Sequence, residues 1–355
     1  MIPLYKPFMP DSLPEINNIL YSGALSYGKW GKEFEKSLGE FIENPQIITV
    51  NSFNSAINVV LSSLGIVAGD EIISSPMSCL ASNQPLITYG INVKWADIDP
   101  KTGTLCPESV KSKITNKTKA IFHNHFCGYI GYIEEINKIA KENGIFVIDD
   151  SIEAFGSELN NKRIGNFDSD ATVFSFQTVR LPNTIDGGAI SFKSKEHYDK
   201  AILVRDFGID RTNFRDELNE INPRCDISIP GYGATLSEIN SYIGCQQMKT
   251  IDMHLNTQRE NAKKWEEKLY NDSKINIIQL LNNTNPNYWV FGLLSENKIA
   301  TIKEYREKGF YASGVHLPNN YYSVFGKQED LKGINEFYSK FVALPCGWWV
   351  ENDIK

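Results

Sequence analysis

Short β-branched runs alternate with helix-like segments through the first two-thirds of the chain, and this alternation restricts the fold more than any other feature. The runs are QIITV (46–50), DEIISSP (70–76), INVKWADID (91–99), KAIFHNHF (119–126) and GIFVIDD (144–150), and ATVFSF and GAISFK add two more. Between them, SAINVVLSSLGI (55–66) and IEEINKIAKENG (133–144) carry apolar residues at helical spacing and reach glycine at or near their ends. The pattern predicts an α/β fold with a mostly parallel sheet covered by helices. Such sheets place ligands at the carboxyl ends of their strands. Asp149 and Asp150 close one strand, Ser175 closes another, and His123 and His125 stand near the end of a third.

Past about residue 245 the texture changes. TQRENAKKWEEKLYN (257–271) is polar and strongly helical, and NYWVFGLLS, a second helical stretch near ATIKEYREKG, and VALPCGWWV follow. The expected division is a large domain with an N-terminal arm over residues 1–245 and a smaller α+β domain over residues 246–355. A formal net charge of −7 argues against nucleic acid or an anionic membrane as the main partner. The first residues show no basic region leading into an apolar run, and no stretch approaches the roughly 18 apolar residues of a membrane helix. The six cysteines are scattered, with no C-x-x-C pair and no metal-ligand spacing. That usage points to reduced thiols in the cytoplasm and to no metal.

Several weak signals share one order. VNSFNSAINVV opens a helix with Asn and Ser, an end whose free N–H groups and dipole suit a phosphate. VIDDSIEAFG follows, and SFQTVRLPNTIDGG comes about 25 residues later. With LSYGKWGKEFEKSL, GDEIISSPMSCLASNQPL, VKWADIDPKTG, FGIDR and ALPCGWW, this order resembles the DegT-type nucleotide-sugar aminotransferases. That resemblance covers nearly the whole chain. It implies the three-layer α/β/α large domain of pyridoxal-phosphate fold type I, and a homodimer with a composite active site acting on a nucleotide-linked sugar. It also implies pyridoxal or pyridoxamine phosphate as cofactor. Asp150 then falls where the family pairs an aspartate with the ring nitrogen, Glu153 beside the ring hydroxyl, and Ser175 at the phosphate. His316, in GVHLPNN, matches a loop that approaches the sugar, and Lys29 is expected to reach substrate.

The chain departs from the family at the lysine that would hold the cofactor, where it has Arg180. Phe53 and Asn54 replace a Gly-Thr pair, leaving Asn54 and Ser55 as the expected phosphate donors. Cys79 stands where an aromatic usually stacks on the ring, Gly233 where a neighbouring subunit sends an asparagine, and Phe155 where a histidine is usual. A lysine amine can lose its proton near neutral pH and shuttle it. Arginine stays protonated up to a pKa above about 12 and is a poor nucleophile and base. Any cofactor would therefore be held without a covalent bond. Arg180 does offer a fork of donors for a phosphate or carboxylate; the alternatives are an ion pair with Asp150 or Glu153, or a place on the surface.

The expected function is a divergent enzyme on a nucleotide-linked sugar, with ordinary transamination lost or altered and Arg180, Glu153 and His125 as its catalytic candidates. His123 and His125 have no acidic third ligand at useful spacing, so polar lining of the cleft is favoured over a metal. Two alternatives stand beside this. One is a conventional aminotransferase using another lysine, with Lys162 the candidate; the other is a non-catalytic, sugar-nucleotide-binding partner of an active homologue.

Overall fold

The computed structural model describes residues 1–326, 329–350 and 354. In chain order the strands are β1 (Ile47–Val50), β2 (Glu71–Ser74), β3 (Asn92–Trp95), β4 (Thr118–Asn124), β5 (Phe146–Ser151), β6 (Glu158–Leu159), β7 (Lys162–Arg163), β8 (Ala171–Ser175) and β9 (Gly188–Phe192). β10 (Ile275–Ile277), β11 (Thr284–Asn285), β12 (Phe291–Ser295) and β13 (Phe341–Leu344) follow. Seven of them form the main sheet in the order β1-β9-β8-β5-β4-β2-β3. Only β9 runs against its neighbours. Strands β1, β2, β8 and β9 are buried along their whole length, as expected of a sheet covered on both faces.

Period-two alternation sorts the side chains into two layers. Ile48, Val173 and Ile190 pack with Ala56, Val59 and Val60 of the helix Phe53–Ser63. Ile47, Phe174 and Ala189 point the other way, onto Phe34, Leu38 and Ile42 of the helix Lys29–Ile42. The same alternation places Ile121 and Val147 against the helix Ile133–Asn143, and Phe122 and Ile148 on the opposite face. A smaller antiparallel sheet, β10-β12-β13, packs with Trp265 and Phe337 in one core. Its core also takes Leu4, Met77, Trp95 and Phe126 from before residue 245. No helix among the described residues is long and apolar enough to cross a membrane.

One buried carboxylate fixes the entry to the helix Lys29–Ile42. Its N-cap, Gly28, has no side chain to accept the free amides. Glu238, from the helix Glu238–Met248, supplies the acceptor: it takes the N–H groups of Gly28 (2.9 Å), Gly31 (3.0 Å) and Trp30 (3.1 Å). Glu238→Ala leaves those donors unmet and is expected to lower stability by about 2–4 kcal/mol, with Glu238→Gln in between. Urea denaturation at neutral pH reads the difference, and a loss below about 0.5 kcal/mol contradicts this capping role.

Candidate functional site

The strand ends gather most of the residues singled out above. Asp150, next to last in β5, is fully buried. Its carboxylate accepts Asn124 Nδ2 at 2.8 Å, from the facing position on β4, and the Ile152 amide at 3.2 Å. Burial pushes its pKa up to about 6, against the opposing hydrogen bonds from Ser82 and Asn124. Among the described ion pairs none supplies it with a cation.

Glu153, in the turn after β5, meets three other parts of the chain. Its Oε2 accepts the Cys127 amide at 2.8 Å. Its Oε1 lies 2.8 Å from His316 Nε2 and 3.5 Å from Arg180 Nη1. Burial alone would push this carboxyl up; His316 and Arg180 outweigh it and hold the carboxyl below its ordinary value.

Arg180 is not on the surface: only 8% of it is exposed. Of the alternatives, the structure realises the ion pair with Glu153. The guanidinium carbon also lies 4.2 Å from the centre of the Trp289 ring. Its Nε and Nη1 make no hydrogen bond.

Three residues of this site carry no signal in the motifs. Trp289 donates Nε1–H to the Val179 carbonyl at 2.9 Å and so fixes the loop before Arg180. Asn287 holds Trp289 in turn: its Oδ1 accepts the Trp289 amide (2.9 Å), and its Nδ2 donates to the carbonyls of Glu153 (2.8 Å) and Phe155 (3.0 Å). A side chain at Gly128 would collide with that amide, since an added Cβ would stand 2.0 Å from Asn287 Oδ1. Tyr5, on the N-terminal arm, stacks on Trp289 with centroids 4.5 Å apart. Burial drives its phenol well above the usual range, and Cys127, Glu153, Arg180 and Cys79 all act on it. The dense aromatic and amide content of NPNYWVFG was the available clue.

The expected phosphate end lies at the start of the helix Phe53–Ser63. Ser52 caps it by accepting the Ser55 amide (3.1 Å), and Ser55 Oγ donates to Asn51 Oδ1 (2.6 Å). Asn54 is exposed there, while Ser175 is buried at the end of β8 with its Oγ 3.4 Å from the Gln177 amide. Cys79 precedes the helix Leu80–Thr88; burial pushes its thiol up to about 11. Gly233 makes room within its own chain, because an added Cβ would meet Phe207 Cζ at 2.5 Å.

Two expectations change. His125 does not join Arg180. Strand alternation turns His123, His125 and Asp149 to the face opposite Asn124 and Asp150. There His123 Nδ1 lies 3.0 Å and His125 Nε2 3.4 Å from Asp149 Oδ1, all three fully buried. The acidic partner not found by spacing is therefore Asp149, brought in from the next strand. These hydrogen bonds overcome burial and hold the Asp149 carboxyl well below its usual range. The group is poorly suited to a metal: His125 Nδ1 accepts the Gly131 amide (3.1 Å), which leaves the ring proton on Nε2. The second group of ligand types, Cys127, Glu153 and His316, already has the Arg180 cation beside it.

Lys29 lies at the start of its helix with Nζ 4.8 Å from the Trp30 ring. Lys162 is exposed on β7, in a groove with Asp168 and Lys193. Neither lines the two small cavities that flank Arg180.

The doubly covered sheet, with Asp150, Ser175 and Arg180 at its strand ends, defines an α/β protein of pyridoxal-phosphate transferase fold type I. The chain belongs to the DegT/DnrJ/EryC1/StrS aminotransferase family, whose model matches residues 9–353. It is 25% identical to the spore coat polysaccharide biosynthesis protein SpsC of Bacillus subtilis, over 97% of this chain and 94% of that protein. It is 29% identical to the GDP-4-keto-6-deoxy-D-mannose 3-dehydratase of Yersinia pseudotuberculosis, over 75% of this chain and 71% of the relative. The crystal structure of the sugar aminotransferase CalS13 from Micromonospora echinospora superposes with a TM-score of 0.93 at 26% identity, covering 100% of this chain and 97% of the other.

The raised pKa of Asp150 has a measurable consequence. A carboxyl at about 6 in the folded chain and 3.8 otherwise binds more protons when folded between those values. Its contribution to stability therefore falls as pH rises through that window. Relative to Asp150→Asn, the wild type should lose about 2 kcal/mol between about pH 4.5 and about pH 7. Parallel urea titrations across that range check it; a difference independent of pH, or one of opposite sign, contradicts it.

Proposed function

We propose that this chain acts on a nucleotide-linked keto or amino sugar, in surface-polysaccharide or deoxysugar biosynthesis, by a reaction other than lysine-dependent transamination. The observation that carries this reading is Arg180, a buried, permanently charged guanidinium paired with Glu153 and resting on Trp289, at the position that the resemblance sets against the family's lysine. The relatives support the substrate class, since one is a 3-dehydratase of a GDP-linked keto sugar and another serves a spore coat polysaccharide. The 3-dehydratase among them also supports a reaction other than transamination.

Pyridoxal or pyridoxamine phosphate fits two of its three holding points here. Asp150 is a buried carboxylate with amide donors and no paired cation, a site that a protonated ring nitrogen completes. The phosphate would lie between Ser175 and the helix start at Asn54 and Ser55. The covalent point does not fit, because arginine offers no primary amine. When bound, the cofactor supplies an electron sink; the chain itself supplies charge and orientation. Arg180 and His316 share one Glu153 oxygen, so an anionic ligand group drawn to Arg180 loosens its hold on Glu153. His316 Nε2 is then the group within reach to hold or move a proton. Cys79 gives the ring a thiol contact in place of an aromatic stack.

In this reading residues 1–245 and 246–355 act as two domains across the Glu153–His316 contact, and a second copy completes the site. Exposed Ile185, Phe207 and Ile227 support the dimer, since Phe207 abuts Gly233, which bonds Asn51 near the phosphate end.

Arg180→Lys tests the reading. With pyridoxal phosphate and borohydride, the variant should gain a covalent adduct at residue 180, read by mass spectrometry of the intact chain and its peptides. Under the same conditions the wild type should gain no stoichiometric adduct at any one lysine, only the scattered labelling of exposed amines that both chains share. A wild-type adduct, with amino-sugar formation from a nucleotide-linked keto sugar, supports the conventional aminotransferase instead.

A further inference from the structure

Arg180 also lines an enclosure that Glu153 does not reach. Its wall includes Lys6, Leu181, Gln258, Trp289 and Trp348, with a cavity of about 20 Å³. Two cations face this space and no carboxylate does. Its polar groups are mainly donors with little to donate to: Arg180 Nε and Trp348 Nε1 are buried with no hydrogen-bond acceptor, and Arg180 Nη1 has only the Glu153 carboxylate, 3.5 Å off, which makes no hydrogen bond to it. Lys6 is held against the same wall, its Nζ 4.7 Å from the Trp348 ring. The arm that carries it is clipped in place, because the Phe8 carbonyl accepts Asn183 Nδ2 (2.6 Å) and Gln247 Nε2 (2.9 Å).

We propose that this enclosure binds a small monovalent anion, as a free halide or as the carboxylate end of a larger ligand. Unmet buried donors are rare, and those of a guanidinium are costly to leave so. A water molecule accepts from such donors but then turns its own hydrogens toward the remaining cationic wall. An anion accepts from every side, and its bonds to charged donors are the stronger kind. Size sets the class. The space admits one or two bodies of water size, which suits chloride, bromide or one carboxylate and excludes a phosphate ester with its sugar. Occupancy would give Arg180 a second counter-charge besides Glu153, and the N-terminal arm would become part of the site through Lys6. The inference does not depend on the reaction proposed above.

The test uses the full chain at constant ionic strength, replacing the bulky sulfonate HEPES stepwise with chloride, bromide or formate. Thermal unfolding and tryptophan fluorescence read the binding, and bromide-soaked crystals locate it by anomalous scattering. The expected result is saturable stabilisation and a bromide peak between Arg180 and Trp348. Lys6→Met and Trp348→Phe should each weaken the affinity at least about tenfold, with unfolding in the sulfonate verifying that both variants fold. Saturation by formate without halide assigns the site to a carboxylate ligand and supports the proposal. Responses no different from the sulfonate, or equal in wild type and both variants, overturn it.

Discussion

A single buried carboxylate, Glu153, holds the centre of this molecule together. It joins the turn after β5 to the Cys127 amide beyond β4, to the Arg180 loop beyond β8 and to His316 near the small sheet. A charge taken out of water is tolerable only where donors and counter-charges surround it, and removing one partner from such a group typically costs several kcal/mol. The guanidinium is thus part of the fold as well as of the site. It is a fixed positive charge that the neighbouring acid, imidazole and aromatic ring are arranged around.

Two neighbouring carboxylates on β5 show how strongly placement governs chemistry. Asp149 and Asp150 are adjacent in sequence and equally buried. Alternation turns one toward two imidazoles and the other toward uncharged groups. The first is held well below its ordinary value, and the second is pushed up to about 6. The first is a satisfied structural anion, while the second lacks a cation and so remains available to a positively charged ring.

Little free space adjoins Arg180. Trp289 underlies the guanidinium, Tyr5 stacks on the same ring, and the two cavities beside Arg180 measure about 10 and 20 Å³. The N-terminal arm contributes to this closure through Tyr5 and Lys6, and Asn287 sets its geometry from the far end of the chain.

Much of the sheet was legible because a strand buried on both faces writes its apolar side chains as a continuous run. All seven strands of the main sheet overlap the segments read as such, two of them overrunning by a single residue, and the helices near 55–66, 133–144 and 257–271 lie where their periodicity places them. Asp150, Glu153, Ser175 and Arg180 were found because each stands at a fixed offset from a strand end, and offsets along a chain are local. Contacts between distant segments have no such record. Sequence left Asp149 unconnected to His123 and His125, and gave no sign that Tyr5, Asn287 and Trp289 would meet near Arg180. Sequence alone put an arginine where the family resemblance leads one to expect the lysine. The tertiary structure decided what that arginine touches, because only packing brings a carboxylate, an indole and unmatched donors to one point.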